Sequence, residues 1–167
     1  MTTTSRPPVE RVRPPKAPYR VVNRVMRWML SRPRRARRIG QHLLLLHVTG
    51  RRTGRRMVFP VAYRRLGDGR LMVLTNAPWR VNLRDRPDVT VTLLGRTQPA
   101  RAELTEDPDT VAAVYHSLIE EAGHTRAGRR MGIRINVPRT PTLAELADAA
   151  RRDGLAVVHL RLAGTPQ

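Results

Sequence analysis

Between Thr49 and Met57 the chain sets four arginines, Arg51, Arg52, Arg55 and Arg56, around Gly50 and Gly54. Guanidinium groups are permanently charged, forked donors that suit phosphate and carboxylate oxygens. The two glycines permit positive φ and close backbone approach. The chemistry this spacing suits is the holding of a small anion. The stretch GRRTG is not a Walker loop, because it lacks the Lys-Ser/Thr ending and no long helix follows. It is not a dinucleotide fingerprint either. A solvated hairpin whose arginines reflect codon composition is the competing account.

Other chemistries find less support. His42 and His47 point to opposite faces of one strand. His116 and Glu120 share a helix face with no third ligand near in sequence, and His124 and His159 stand alone. No metal site is expected. With no cysteine, three serines and no G-x-S-x-G elbow, a nucleophilic hydrolase is disfavoured. The acids fall mainly in turns and at helix starts, where capping accounts for them.

The loop needs a frame, and the flanking sequence supplies one. Leu43 to Val48 is a continuous apolar run, read as a buried strand. Met57 to Arg65 is a second strand, with Pro60 at an edge or bulge. Gly67-Asp68-Gly69 signals a hairpin into a third strand, Arg70 to Thr75. Trp79 to Arg84 reads as a short helical turn. Val89 to Leu94 and Thr97 to Leu104 follow as strands, joined at Gly95-Arg96. Short strands in close succession favour an antiparallel barrel. Glu106 to Ala122 reads as a helix capped by Thr105, with Val111, Val114, Tyr115 and Leu118 inward. Gly123 to Arg130 reads as a basic loop and Met131 to Val137 as a short strand. Thr142 to Arg152 is a second helix, Leu143 inward, stopped at Gly154. Leu155 to Leu162 is the last strand, expected to close the barrel.

At the other end, residues 1–18 are proline-rich with little to bury, which predicts a disordered arm before a single domain over 19–167. Tyr19 to Ser31 has an amphipathic helical pattern, and five arginines follow between Arg32 and Arg38. Such a pair either lies on an anionic bilayer at the inner face of the membrane or covers one end of the barrel. No run approaches the ~20 apolar residues of a spanning helix and no secretory pattern opens the chain, so a cytoplasmic place is expected.

The formal charge of +19 would by itself suggest nucleic acid. Lys16 is the only lysine, the arginines are spread along the whole chain, and aromatic residues are few. A GC-rich codon bias accounts for some of the arginine, and the stacking platforms of single-strand binders are mostly missing. No nucleic-acid partner is expected.

The wider pattern resembles the family of deazaflavin (F420)-dependent nitroreductases and quinone reductases. It rests on LLHVTGRRTGRRMVFPV (Leu45 to Val61), on APWRVNLRDRP with Pro78, Trp79, Asn82, Leu83 and Pro87 in order, and on the following DVTVTLLGRTQPARAEL. Together these cover about Leu43 to Glu121. The resemblance implies a split β-barrel of the flavin/F420-binding type, mainly β with added helices (α+β). It implies coenzyme F420 as cofactor, with FMN as the alternative. It implies an oxidoreductase that moves a hydride from reduced F420 to a small planar electrophile, a quinone, nitro compound or enone. A tetrapyrrole-binding barrel and a non-catalytic cofactor- or lipid-binding protein are the alternatives. A homodimer is implied as well.

Carried over by position, Arg51, Arg52, Thr53 and Gly54 would meet the cofactor's phosphate and tail. Met57, Val58, Phe59, Pro60 and Val61 would line it beside the loop. Met57 stands where the family usually has an arginine, and Arg56 beside it is the substitute. Leu74, Thr75, Asn76 and Ala77 would present main chain to the ring's polar edge. Pro78, Trp79 and Asn82 would close the other side. No side chain is singled out as acid or base.

Overall fold

The computed structural model describes residues 6–12, 24, 28, 34 and 41–164. The expected amphipathic helix and the basic run behind it lie outside the described residues, except Arg24, Trp28 and Arg34, each helical and exposed. The described strands are β1 (Val9–Arg11), β2 (Leu43–Thr49), β3 (Arg56–Ala62), β4 (Arg64–Arg65), β5 (Leu71–Thr75), β6 (Asp88–Leu93), β7 (Arg96–Thr105), β8 (Ile133–Ile135) and β9 (Ala156–Leu162). The helices are α1 (Pro108–Ala122), α2 (His124–Met131) and α3 (Leu143–Asp153), with a 3-10 turn over Pro78–Leu83. The mainly β, α+β class read from the sequence is the one observed. Contacts group the chain into two compact units.

The first unit comprises Pro14–Val73, Pro78–Leu104 and Val158–Gln167. It carries most of the seven-stranded sheet, ordered β3-β2-β6-β7-β9-β5-β4. The strands β3 and β4 stand at opposite ends of that order, yet only Tyr63 separates them in sequence. Laid flat, seven strands about 4.8 Å apart would hold their edges roughly 29 Å apart. Two residue steps of chain reach only about 7 Å. The sheet must therefore curl until its edges meet at Tyr63. This is the barrel that the succession of short strands implied, although β9 is inserted between β7 and β5 and the seam falls at Tyr63.

Apolar runs fill it: Leu44, Leu46, Leu71, Val73, Val91, Val158 and Leu160 are all buried. Pro60 sits on the edge strand β3, opposite Leu45, where a missing N–H costs no ladder bond. The β6–β7 turn falls at Leu94-Gly95, one residue earlier than expected. Both residues have positive φ, as a two-residue hairpin turn with the sheet's own twist requires.

The second unit comprises Met1–Arg13, Leu74–Ala77 and Thr105–Val157. Here the sequence reading needs four corrections. The expected disorder of the arm does not hold at Val9–Arg11. That strand pairs with β8, Val9 is fully buried, and the Asn136 side-chain amide donates to Pro7 O at 2.8 Å. Pairing with a distant partner is invisible to local composition. The basic loop at Gly123 to Arg130 is helix α2, ended by Gly132 at φ 68. Helix α1 is capped by Asp107 and not Thr105, its carboxylate accepting from Thr110 N at 2.9 Å, and Pro108 stands at the first helical position. Leu143 is 53% exposed, and Leu146, Ala147, Ala149 and Ala150 form the inner face of α3.

Two groups in this unit give measurable expectations. The Tyr115 hydroxyl is buried and, among the described residues, has no hydrogen-bond partner; burial pushes its pKa upward. Leaving such a group unpaired is costly. Tyr115→Phe is therefore expected to keep or raise the midpoint of urea unfolding, in contrast to an ordinary buried tyrosine.

Glu145 closes a capping box with Thr142 and takes both arms of the Arg139 fork at 2.7 and 2.8 Å. The Arg139 contact, then the Thr142 N–H at 2.8 Å, pulls its carboxyl from 4.5 down to about 2. The folded value lies below the unfolded one, so this support is complete above pH 4.5 and is lost as pH falls towards 2. In that window Glu145→Gln is expected to show a flatter dependence of the urea midpoint on pH than the parent.

Candidate functional site

The arginine loop connects β2 to β3, whose last pair is Thr49 opposite Arg56. Gly50 N–H donates to Arg55 O at 2.9 Å and Gly54 N–H to Gly50 O at 2.9 Å, which closes the loop on itself. The glycines serve different ends. Gly54 has φ 65 with open space around it, so backbone conformation selects it. Gly50 has no positive φ; a Cβ there would stand 3.2 Å from Thr53 Oγ1 and 3.4 Å from Arg55 O. Packing selects that one.

Arg51 differs from its neighbours. Its N–H donates to Asn82 Oδ1 at 3.0 Å, its guanidinium donates to Val81 O at 3.4 Å, and Asn82 in turn donates to Trp79 O at 2.9 Å. Asp85 lies 3.9 Å from the Arg51 guanidinium, but its side chain is 91% exposed and the pair contributes little. The 3-10 turn thus holds the loop at a fixed height through Asn82. Arg52, Arg55 and Arg56 are exposed and, among the described residues, have no carboxylate or carbonyl partner. Three charged forks stand ready on a pinned loop, which is an arrangement for gripping a polyanion.

Next to the loop, Phe59 of β3 stacks on Trp79 of the 3-10 turn, centroids 5.7 Å apart and planes 20° apart. The two rings expected on either side of a flat ligand meet one another directly. Met57, Val58 and Pro60 are half-buried on the same strand and Val61 is buried. A cavity of about 300 Å³ opens between the end of β2 and the chain after the 3-10 turn, lined by Thr49, Asn82, Asp85, Arg86, Asp88 and Val89. That is the low end for a small-molecule pocket. Its two carboxylates disfavour an anion inside it. The wall from Asp85 to Val89 was not foreseen; the signal was the turn-forming Arg-Asp-Arg-Pro, with Asp85 at φ 59.

Leu74, Thr75, Asn76 and Ala77 belong to the second unit. Thr75 Oγ1 accepts from Ala77 N at 3.1 Å, and the Asn76 amide donates to Gly132 O at 3.2 Å. Gly132 O also accepts from Val12 N at 2.9 Å. The Asn76 side chain is therefore engaged in holding that unit's backbone. No group of histidines and acids able to hold a metal occurs among the described residues. His47 instead contacts Thr92 Oγ1 at 2.8 Å, and Thr92 contacts Thr97 Oγ1 at 2.8 Å.

The barrel unit thus combines a curled antiparallel sheet with a hairpin loop that carries three exposed guanidinium groups. The chain belongs to the F420H(2)-dependent quinone reductase family, whose model matches residues 20–152. It is accordingly an F420-dependent oxidoreductase acting on a small molecule, with coenzyme F420 as its cofactor. Among solved structures it is similar to an F420 reductase at 18% identity, covering 83% of this chain and 93% of that one with a TM-score of 0.41. It is similar to the haem storage protein HutZ of Vibrio cholerae at 18% identity, over 73% and 82% of the two chains, TM-score 0.43. A pyridoxamine 5'-phosphate oxidase-like protein of Listeria innocua aligns at 11% identity over 78% and 96%, TM-score 0.40. A search of curated proteins finds no match.

Proposed function

We propose that the Gly50–Gly54 loop seats the acidic tail of reduced F420 and that the reaction is hydride transfer to a small planar electrophile, a quinone before a nitro compound or enone. The observation that carries this reading is the set of guanidinium groups on Arg52, Arg55 and Arg56 that have no partner among the described residues, on a loop held in place by the Arg51–Asn82–Trp79 chain. The tail carries a phosphate and carboxylates, and forked donors with no internal partner lose no existing ion pair on meeting it. The residues present therefore fit the cofactor's charged end. When bound, the deazaflavin supplies the hydride.

The chain's own part is to hold and shield. Arg52, Arg55, Arg56 and Thr53 grip the tail, Gly54 gives the loop its turn, and Arg51 keeps its register. Met57, Val58, Phe59, Pro60 and Val61, with Pro78 and Trp79, offer an apolar wall that excludes water. No side chain is placed as acid or base, and water suffices as proton donor for a reduced quinone. Anionic-membrane contact and a homodimer are parts of the same reading, resting on the basic N-terminal pattern and the resemblance.

Titration of the purified protein with F420, followed by fluorescence anisotropy, tests the seat. Saturation in the micromolar range is expected, whereas no binding at tens of micromolar removes the proposal. Reduction of a soluble quinone under saturating reduced F420, faster than in buffer, separates an enzyme from a protein that only stores the cofactor.

A further inference from the structure

A second basic cluster lies in the barrel unit, at a cavity whose lining includes none of the loop's arginines. A cavity of about 350 Å³ is lined there by Arg70, Pro87, Arg101, Glu103, His159 and Arg161. Strand register brings these residues together. Strands β7 and β9 are neighbours, and Ala163 N–H donates to Pro99 O at 3.0 Å. Given the bounds of the two strands, only antiparallel pairing satisfies that bond. It sets Arg161 directly opposite Arg101 and His159 opposite Glu103. Along β7, Ala100 and Ala102 are buried while Arg101 and Glu103 are exposed, so the cluster occupies the outer face. Arg70 enters from the start of β5, the strand on the other side of β9.

Like charges directly opposite on an antiparallel pair destabilise the sheet. The described residues do little to offset this one. Asp88 reaches Arg101 only at 4.0 Å, with the two side chains 89% and 72% exposed. Arg161 has no carboxylate partner among the described residues. Arg70 is held by Asp68, its Nε donating to Oδ2 at 2.7 Å, which fixes its direction beside the cavity. Glu103 is the one carboxylate in the lining, against three guanidinium groups. Burial and the Arg70 charge push the His159 pKa down, so the ring is neutral at pH 7 and offers a hydrogen bond without adding charge.

We propose that this cavity is a second anion site, separate from the cofactor's seat, that takes a phosphoryl group bearing two or more negative charges. An opposed arginine pair with a third arginine beside it is a costly arrangement in the empty protein. A bridging phosphate converts the repulsion into three charge-assisted contacts. The same chemistry is presented by a soluble phosphorylated metabolite and by a phospholipid headgroup. The proposal does not depend on the F420 reading.

The test uses the full chain and inorganic diphosphate, with chloride at matched ionic strength as control. Diphosphate is expected to raise the thermal midpoint saturably and to broaden its own phosphorus resonance. Arg101→Gln with Arg161→Gln is expected to weaken that binding by about ten-fold or more. In the absence of anion the same double variant is expected to be at least as stable as the parent, because the like-charge pair is gone; this also verifies that it folds. Its affinity for F420 is expected to be unchanged. Vesicles of phosphatidylcholine with phosphatidic acid identify the source: less co-sedimentation of the double variant than of the parent points to a headgroup, equal co-sedimentation to a soluble ligand. A midpoint that diphosphate does not move, a shift that persists in the double variant, or a parallel loss of F420 affinity overturns the proposal. The last result would make the cavity part of the cofactor's seat.

Discussion

Replacing Arg52 and Arg56 together by glutamine is expected to weaken F420 binding by at least about ten-fold, read by anisotropy at constant ionic strength. Charge-assisted hydrogen bonds contribute roughly 1.5–3 kcal/mol each. Ten-fold corresponds to about 1.4 kcal/mol, so even one contact of this kind reaches the threshold. These two arginines are the informative choice because they have no partner among the described residues, and their replacement leaves the fold's own hydrogen bonds intact. Arg51 is a poorer probe, since its N–H and guanidinium are tied to Asn82 and Val81. Asn82→Ala serves as the positioning control. It removes the strut between the loop and Trp79 without removing a charge, so it should weaken binding while leaving the salt dependence of binding unchanged. The arginine pair, in contrast, should flatten that salt dependence. An unaltered affinity in the double arginine variant would place the tail elsewhere on the protein.

The largest effect on stability is expected from Gly128→Ala. A Cβ on Gly128 would stand 2.7 Å from Ile133 O and 3.7 Å from the Ile133 carbonyl carbon. Both are backbone atoms of β8, the strand that pairs with β1. A carbonyl oxygen at that distance cannot swing away as a flexible side chain could, so helix α2 or β8 has to shift. Overpacking of this kind costs about 1–3 kcal/mol, or several degrees in thermal midpoint for a chain of this size. On propensity alone the substitution should help, because alanine in a helix is favoured over glycine by about 1 kcal/mol. The sign of the measured change therefore decides between packing and propensity. A raised midpoint in thermal denaturation would mean that α2 does not lie against β8 as described.

The strands of the barrel were legible because each is announced locally. Leu43 to Val48 is an unbroken apolar run, Gly67-Asp68-Gly69 can only turn, and Pro60 marks an edge. Thr142 and Gly154 likewise announce both ends of α3. The arm was misread because Val9 is one apolar residue among prolines, and its burial depends on β8, more than a hundred residues away. Helix α2 reads as a basic loop in the sequence because its polar residues carry no inward stripe long enough to see. Leu143 was placed inward on hydrophobicity, although it is the first residue after the cap and the following turn turns away from it.

What the sequence determined by itself was the kind of ligand. Arginines flanking two glycines between two apolar strands suit an acidic group, and the order GRRTG, then Pro-Trp, Asn-Leu and Pro carries the resemblance to the family that the chain belongs to. What only the tertiary structure decided was which of those residues are available. Arg51 and Asn82 look alike in the sequence as candidates for contact, yet they hold each other, while Arg52, Arg55 and Arg56 have no side-chain partner among the described residues. Phe59 and Trp79 stack on one another, and Arg101 and Arg161 line one cavity although they stand sixty positions apart in the chain. Local pattern specifies charge, hydrophobicity and turns. Strand order and register alone specify which charges end as neighbours, because pairing across a curled sheet joins residues that share no local signal.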